Sequence, residues 1–343
     1  MPSEFIGWSA RQGLATAGSV TLAVAVGAYL GQQDLWWAAI SAWVVSNPDF
    51  AALWRKLAMR LAGTAFGLLI GFFLSVALQG QPALQAVAFF AVCGFGPYQR
   101  FSSPYGYAWF YGAITIAMLL AVSIVSPNTL FDFAQYRFPE IVTGVFASAF
   151  VHALLRPDDA AAPAKPAALA PRDGELFRLA LIGGFSGVGV TLVWLAFNIP
   201  SLPQGLISTL VVLDRDAATI RVRARQRFLG CALGALLGLS CDFIGDDAAP
   251  VYFTTLFAGL FYLSRLHHGG GQLSYVGTQG GVAFITAMVT GRGPPSSILP
   301  ALERLGGIFV GVTLMTGVAL VLSALPAPPR AVAPAGEIRR ELL

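Results

Sequence analysis

The chain has 343 residues, of which 56% are hydrophobic and 11% charged. A soluble domain carries roughly 25% charged residues, so this chain cannot cover its own surface in water and reads as a polytopic membrane protein. Its formal net charge of +4 calls for no nucleic-acid partner, because basic residues gathered at span ends account for it.

A helix needs about 20 apolar residues to cross a hydrocarbon core of about 30 Å. In chain order such runs fall at 13–31, 35–48, 61–79, 82–98, 105–125 and 139–155. They resume at 179–197, 199–213, 228–244, 250–264, 273–291 and 304–325. The first run is too long for a signal peptide and lacks a small-x-small exit, so it reads as a span. The second and eighth are short for a full crossing. The expected fold is all-α, a polytopic membrane protein of about 12 transmembrane helices in two parallel six-helix repeats. Residues 1–156 and 175–326 are the repeats, 157–174 an Ala/Pro-rich cytoplasmic linker, and 327–343 a cytoplasmic tail.

The repeat rests on a duplication. Residues 34–71 laid on 201–238, a shift of 167 without a gap, coincide at 13 of 38 positions. Among these are Ile40/Ile207, Ser41/Ser208, Asp49/Asp216 and Arg60/Arg227, followed by Gly63, Gly67 and Gly71 on Gly230, Gly234 and Gly238. Shared leucines could arise by chance in two apolar chains, but not readily an arginine followed by three spaced glycines. With the N-terminus cytoplasmic, all 21 lysines and arginines except Arg137, Arg292 and Arg304 fall on the cytoplasmic side. This is the positive-inside pattern. Both basic connections, Arg55/Lys56/Arg60 and Arg215 to Arg227, then lie inside. That requires the short second and eighth runs to cross and makes the repeats parallel.

Each polar feature admits two readings. The spaced glycines let another backbone approach and place the third and ninth spans centrally, or they line a path. Arg221, Arg223, Arg225 and Arg227 at a membrane edge set topology and meet anionic lipid. Alternatively, with Arg60, they draw an organic anion to the inner mouth. Glu140 and Glu303 begin the sixth and twelfth spans, either as first-turn carboxylates favoured by the helix dipole or as proton-coupling or gating groups at the outer mouth. Of the two, Glu140 is expected to be the more consequential. His152, near the end of the sixth span, is interfacial or titrates. Asn47-Pro48-Asp49 and Asp214-Arg215-Asp216 stop the second and eighth helices or form a broken element beside the substrate. Tyr105, Tyr107, Trp109, Tyr111, Tyr275 and Gln279 form an aromatic belt or face a flat aromatic substrate.

Cys93, Cys231 and Cys241 lie in apolar segments without metal-site spacing, and their odd number argues against a disulfide framework. His267 and His268, in a glycine-rich loop without further ligands, make no metal site. No cofactor is expected. An embedded enzyme would need clustered His, Asp or Glu, whereas only His152 of the three histidines falls in a span.

The stretch Trp36-Trp37-Ala38, Val44-Val45-Ser46-Asn47-Pro48, Arg55-Lys56 and Arg60-Leu61-Ala62-Gly63-Thr64-x-x-Gly67-x-x-x-Gly71 resembles the fusaric-acid-resistance/aromatic acid exporter family of inner-membrane proteins. The second copy keeps Arg227-Phe228-Leu229-Gly230-x-x-x-Gly234, with Cys231 in place of the threonine and Arg215 in place of the proline. The resemblance implies export of aromatic or other organic acids across a bacterial-type inner membrane, driven by the proton gradient. Both termini would then be cytoplasmic. The substrate-binding set is read as Trp37, Asn47, Tyr107, Tyr111, Gln204, Asp214 and Gln279. Plant malate channels share a similar six-span module, and the arginine-rich inner connections with few ionisable groups to couple protons make an organic-anion channel the alternative. The expected partners are the lipid bilayer and a small organic acid, with a homo-oligomer or accessory subunits left open.

Overall fold

A computed structural model describes residues 10–155, 174–198, 201–214, 217–242, 248–269, 271–291, 293 and 297–324. These residues are helical throughout, apart from turns and one isolated bridge between Thr290 and Gly293. The first helices are α1 (Ala10–Tyr29), α2 (Leu35–Val45), α3 (Phe50–Ala77), α4 (Pro82–Ser102), α5 (Gly106–Val125) and α6 (Leu130–Leu155). They are followed by α7 (Gly174–Phe197), α8 (Leu202–Val212), α9 (Ala217–Asp242), α10 (Ala249–His267), α11 (Ser274–Met288) and α12 (Leu299–Ala324). Five segments are long and apolar enough to cross a bilayer: Phe50–Ala77, Gly106–Val125, Pro127–Leu155, Gly174–Phe197 and Ala301–Ala324. The chain is therefore a multi-pass helical membrane protein. Arg292 and Arg215, and most of the expected linker and tail, lie outside the described residues.

Helix starts differ from the apolar runs. The basic stretch Arg55/Lys56/Arg60 is no loop. Asp49 caps α3, its carboxylate accepting the N–H groups of Ala51 (2.9 Å) and Ala52 (3.2 Å), so the helix begins some ten residues before the apolar run. Likewise Arg221 to Arg227 stand within α9, and α6 starts at Leu130, well before Glu140. Glu140 is thus no first-turn residue.

α2 and α8 have 11 residues each. At 1.5 Å per residue that is roughly 16 Å, about half a hydrocarbon core. Backbone that ends at such a depth must be sheltered by protein, and nearly all of α2 is buried. Both end alike, at Ser46 (φ −50°, ψ 126°) and Leu213 (φ −59°, ψ 129°).

The packing pairs of one half recur in the other. α3 lies on α5 as α9 lies on α11, α1 and α2 lie on α6 as α7 and α8 lie on α12, and α4 lies on α5 as α10 lies on α11. Across the halves α1 meets α10 and α4 meets α7, while α2 meets α11 and α5 meets α8. The spaced glycines serve the first of these pairs. A Cβ on Gly67 would come within 2.8 Å of the Gly112 carbonyl, and one on Gly234 would collide with the Gly280 backbone. Central packing of α3 and α9 is not what results. Their far faces expose Leu69, Phe73, Leu233 and Leu236, as a lipid-facing surface would, and the buried centre goes to α2, α5, α8 and α11.

Candidate anion-binding cavity

A cavity of about 530 Å³ lies where these four short or central helices meet. That volume suits a small organic molecule. Its walls pair across the two halves at the sequence shift of 167. Trp37 and Gln204, Ile40 and Ile207, Val44 and Val211, Arg60 and Arg227, Arg137 and Arg304, and Ile141 and Ile308 all line it. Helices α5 and α11 follow at a shift one residue longer, with Tyr107 and Tyr275, Tyr111 and Gln279, and Ile114 and Val282.

The lining is cationic. It carries Lys56, Arg60, Arg100, Arg137, Arg227 and Arg304, and no Asp or Glu among its described residues. Arg60 is buried, donates from Nη2 to Ser41 Oγ (3.2 Å), and stacks its guanidinium 3.6 Å above the Tyr111 ring. Its Nε and Nη1 have no partner among the described residues. Arg227 repeats the arrangement, with Nη2 donating to Ser208 Oγ (3.1 Å) and Nη1 to Gln279 Oε1, which leaves Nε unpartnered.

Near the start of α2, Arg137 stacks 3.5 Å from Trp37, and Arg304 lies 4.6 Å from Trp36. Arg304 Nη1 donates to the Thr286 carbonyl (2.6 Å), whereas Arg137 Nη1 and Nη2 make no hydrogen bond. Arg137 has a carboxylate, Glu140, 3.9 Å away; a buried guanidinium left without a counter-charge costs about 3–5 kcal/mol. An anion in the cavity would supply the missing acceptors, and flat aromatic walls would hold a flat ring.

The structure gathers most of the residues singled out from sequence. Trp37, Tyr107, Tyr111, Gln204, Gln279, Arg60 and Arg227 line the cavity. Asn47 does not; its Oδ1 accepts the Asp49 N–H at 2.9 Å and braces the turn into α3. Asp214 pairs with Arg223 at 2.8 Å, so both are absent from the lining, and Arg221 is exposed on α9.

Glu140 is buried outside the cavity. Its Oε1 accepts the backbone N–H of Asp34 (2.9 Å) and its Oε2 lies 3.9 Å from Arg137 Nη1. Glu303 is exposed on α12, so the two carboxylates are not equivalent. The shift of 167 pairs Arg137 with Arg304 instead, and that signal was available in the sequence. Arg137 lies within α6 rather than in an outer connection, Arg304 lies within α12, and both line the cavity. His152 is buried away from the cavity, while His267, expected in a plain loop, lines it. No metal-binding group of three or more His, Cys, Asp or Glu occurs among the described residues.

A family model described as fusaric acid resistance protein-like matches residues 22–151 and again residues 188–318. The chain belongs to that family. Over 149 residues it is 28% identical to the uncharacterized transporter YdhK of Escherichia coli strain K12, and to YdhK of Escherichia coli O157:H7. The match takes in 42% of this chain and 22% of each relative, so the chain spans less than a quarter of the curated relatives it matches. No solved structure matches it. In this fusaric acid resistance-like protein, the two matched stretches contain both members of every cavity pair, from Trp37/Gln204 to Arg137/Arg304.

Proposed function

We propose that the protein is a secondary transporter that exports small aromatic or other organic acids across an inner membrane, coupled to the proton gradient. The observation that carries this reading is the cavity itself, in which six cationic side chains stand with aromatic walls and no lining carboxylate among the described residues. The acid's carboxylate sits against Arg60 and Arg227, and its ring lies between Trp37, Tyr107 and Tyr111. The scaffold is twelve spans in two parallel six-helix repeats, 1–156 and 175–326, related by a pseudo-two-fold axis through the cavity. The 167-residue shift and the matching packing pairs support that arrangement. Transport is a rocking of one repeat against the other, and both termini face the cytoplasm by the lysine and arginine bias.

Purified protein in liposomes should move labelled hydroxybenzoate in response to an imposed pH gradient. No flux across a broad panel of organic acids would sink the reading. A channel built on the same cavity is the second reading, favoured by a lining of fixed cations without a carboxylate. Unitary currents in planar-bilayer recordings would favour it, and turnover without resolvable conductance the carrier.

A further inference from the structure

All three histidines of the chain, separated by up to 116 positions in sequence, belong to one buried polar cluster that reaches the cavity at His267. His152, on α6 and 1% exposed, has Nδ1 at 2.8 Å from the Ser148 carbonyl. A carbonyl only accepts, so Nδ1 carries the proton and Nε2 of the neutral ring is an acceptor. Ser46 Oγ, 3.0 Å from Nε2, therefore donates to it. With its hydrogen so used, Ser46 accepts from Thr16 Oγ1 at 2.8 Å. Thr16 in turn accepts from His268 Nε2, also at 2.8 Å. One carbonyl thus orients the whole chain, His268 to Thr16 to Ser46 to His152.

The His268 ring lies 4.3 Å from that of His267, centroid to centroid. His267 stacks on Trp43 at 4.6 Å. Its Nδ1 donates to Thr278 Oγ1 (2.9 Å), because the Thr278 hydroxyl is itself given to the Ser274 carbonyl (3.0 Å). That leaves His267 Nε2 buried and without a well-formed hydrogen bond among the described residues, with the Trp43 backbone as a hydrogen-bonding neighbour that favours the protonated ring. His267 lines the cavity. The charged groups that face the assembly are few. Lys56 on α3 acts on both His267 and His268, and His152 acts on His268. Among the described residues no carboxylate pairs with any of the three rings. Buried hydroxyls strung between imidazoles, oriented and open at a cavity, are the elements of a proton path.

We propose that His267, His268, Thr16, Ser46 and His152 form the proton path of this transporter, with His267 as its terminus in the anion cavity. This rests on the transport reading above and names the residues that couple it. A proton taken by His267 Nε2 puts an imidazolium on the cavity wall beside the bound acid. That imidazolium lies near Lys56, a like charge that disfavours it, and the proton goes on through one bridging water to His268 Nδ1, since His268 Nε2 already carries a hydrogen. From there His268 Nε2–H passes to Thr16, the Thr16 hydrogen to Ser46, and the Ser46 hydrogen to His152 Nε2. Three bonds to hydrogen break, three form, and the positive charge moves from His268 to His152. His152 is one turn from the end of α6 at Leu155, on the cytoplasmic side in the proposed orientation, so an inward proton can be exchanged for an outward acid.

The test uses the full chain in liposomes and reads two quantities with labelled hydroxybenzoate. Counterflow at equal pH on both faces needs no net proton movement, whereas accumulation against an imposed pH gradient does. Ser46→Ala and Thr16→Val each remove one hydroxyl from the chain without touching the cavity. Both should keep counterflow within about twofold of the unchanged protein, as expected when no anion contact is lost, while accumulation falls at least tenfold. Thr16→Ser keeps the hydroxyl and should accumulate normally. Wild-type accumulation in both Ser46→Ala and Thr16→Val would overturn the path, and so would loss of counterflow together with accumulation. Absence of counterflow in the unchanged protein is a different failure, one that removes the transport reading itself.

Discussion

The two halves build one cavity but finish one end of it differently. At the shift of 167, Thr16, Ser46, His152, His267 and His268 fall on Gly183, Leu213, Ala319, Arg100 and Phe101. In the first set, His268, Thr16, Ser46 and His152 are hydrogen-bonded in series, and the His267 ring lies against His268. In the second, Leu213 and Ala319 are buried in an apolar cluster with Leu176 and Ile182, and Phe101 packs against it. Only the cavity-lining position keeps a basic side chain on both sides, as Arg100 in one half and His267 in the other. Arginine is charged at every physiological pH, and histidine is not. Duplication gives the shape, and substitution at one end makes one side of it titratable.

The largest effect is expected at the paired arginines, where the comparison can be broken directly. Arg60 keeps Nε and Nη1 free, whereas Arg227 has given nitrogens to Ser208 and Gln279. A hydrogen bond to a charged group contributes about 1.5–3 kcal/mol. Arg60→Gln should therefore raise the transport KM for hydroxybenzoate by about tenfold to about a hundredfold, and Arg227→Gln by less. Arg60→Lys should not restore it, because an ammonium cannot span two acceptors in a plane. Equal losses at the two sites, read from transport kinetics, would mean that the acid sits on the pseudo-axis and uses both alike.

Next in size is the substitution that makes the halves match. His267→Arg fixes a cation where the protein has a switchable one. The sign is set by protonation. In the unchanged protein His267 adds a donor as pH falls, so acid binding tightens toward low pH. In His267→Arg that donor is permanent, so binding at high pH should improve by about tenfold, the size of one charge-assisted hydrogen bond at about 1.5 kcal/mol. The pH dependence of affinity should flatten, and coupling to the gradient should be lost. Burial and the neighbouring Lys56 push His267 down to about 3, so ligand affinities measured from pH 8 down to about pH 3 on both proteins decide it.

Much of this was legible in the sequence. Apolar periodicity placed the helices, and the arginine followed by three glycines revealed the duplication. Trp37, Tyr107, Tyr111, Gln204 and Gln279 reach the cavity as aromatic or amide side chains on the predicted spans. What escaped has a common physical cause. Span-finding counts every charge as a reason to end a span, yet Arg60, Arg137 and Arg227 lie buried inside helices. The positive-inside rule then set Arg137 in an outer connection and Arg304 at the outer start of a span. The histidine chain escaped for another reason: His268 meets Thr16 across 252 positions, and no local pattern encodes such a contact.

The smallest effects separate the two carboxylates once treated as a pair. Glu140 is 2% exposed and holds both the Asp34 N–H at the start of α2 and the field on Arg137. Gln at this position can still accept from Asp34, but it leaves Arg137 without its nearest counter-charge. Glu140→Gln should therefore lower thermal stability by about 1–3 kcal/mol, the cost of an uncompensated buried group. The pH profile of transport should keep its shape, because the proton path runs elsewhere. A flattened profile with unchanged stability would reverse that assignment and make Glu140 the coupling group. Glu303 is exposed on α12, and surface changes of this kind stay within about 0.5 kcal/mol. Glu303→Gln should match the unchanged protein in melting temperature, KM and pH profile. Any departure there would mean that the exposed face of α12 near Glu303 is covered in the working assembly.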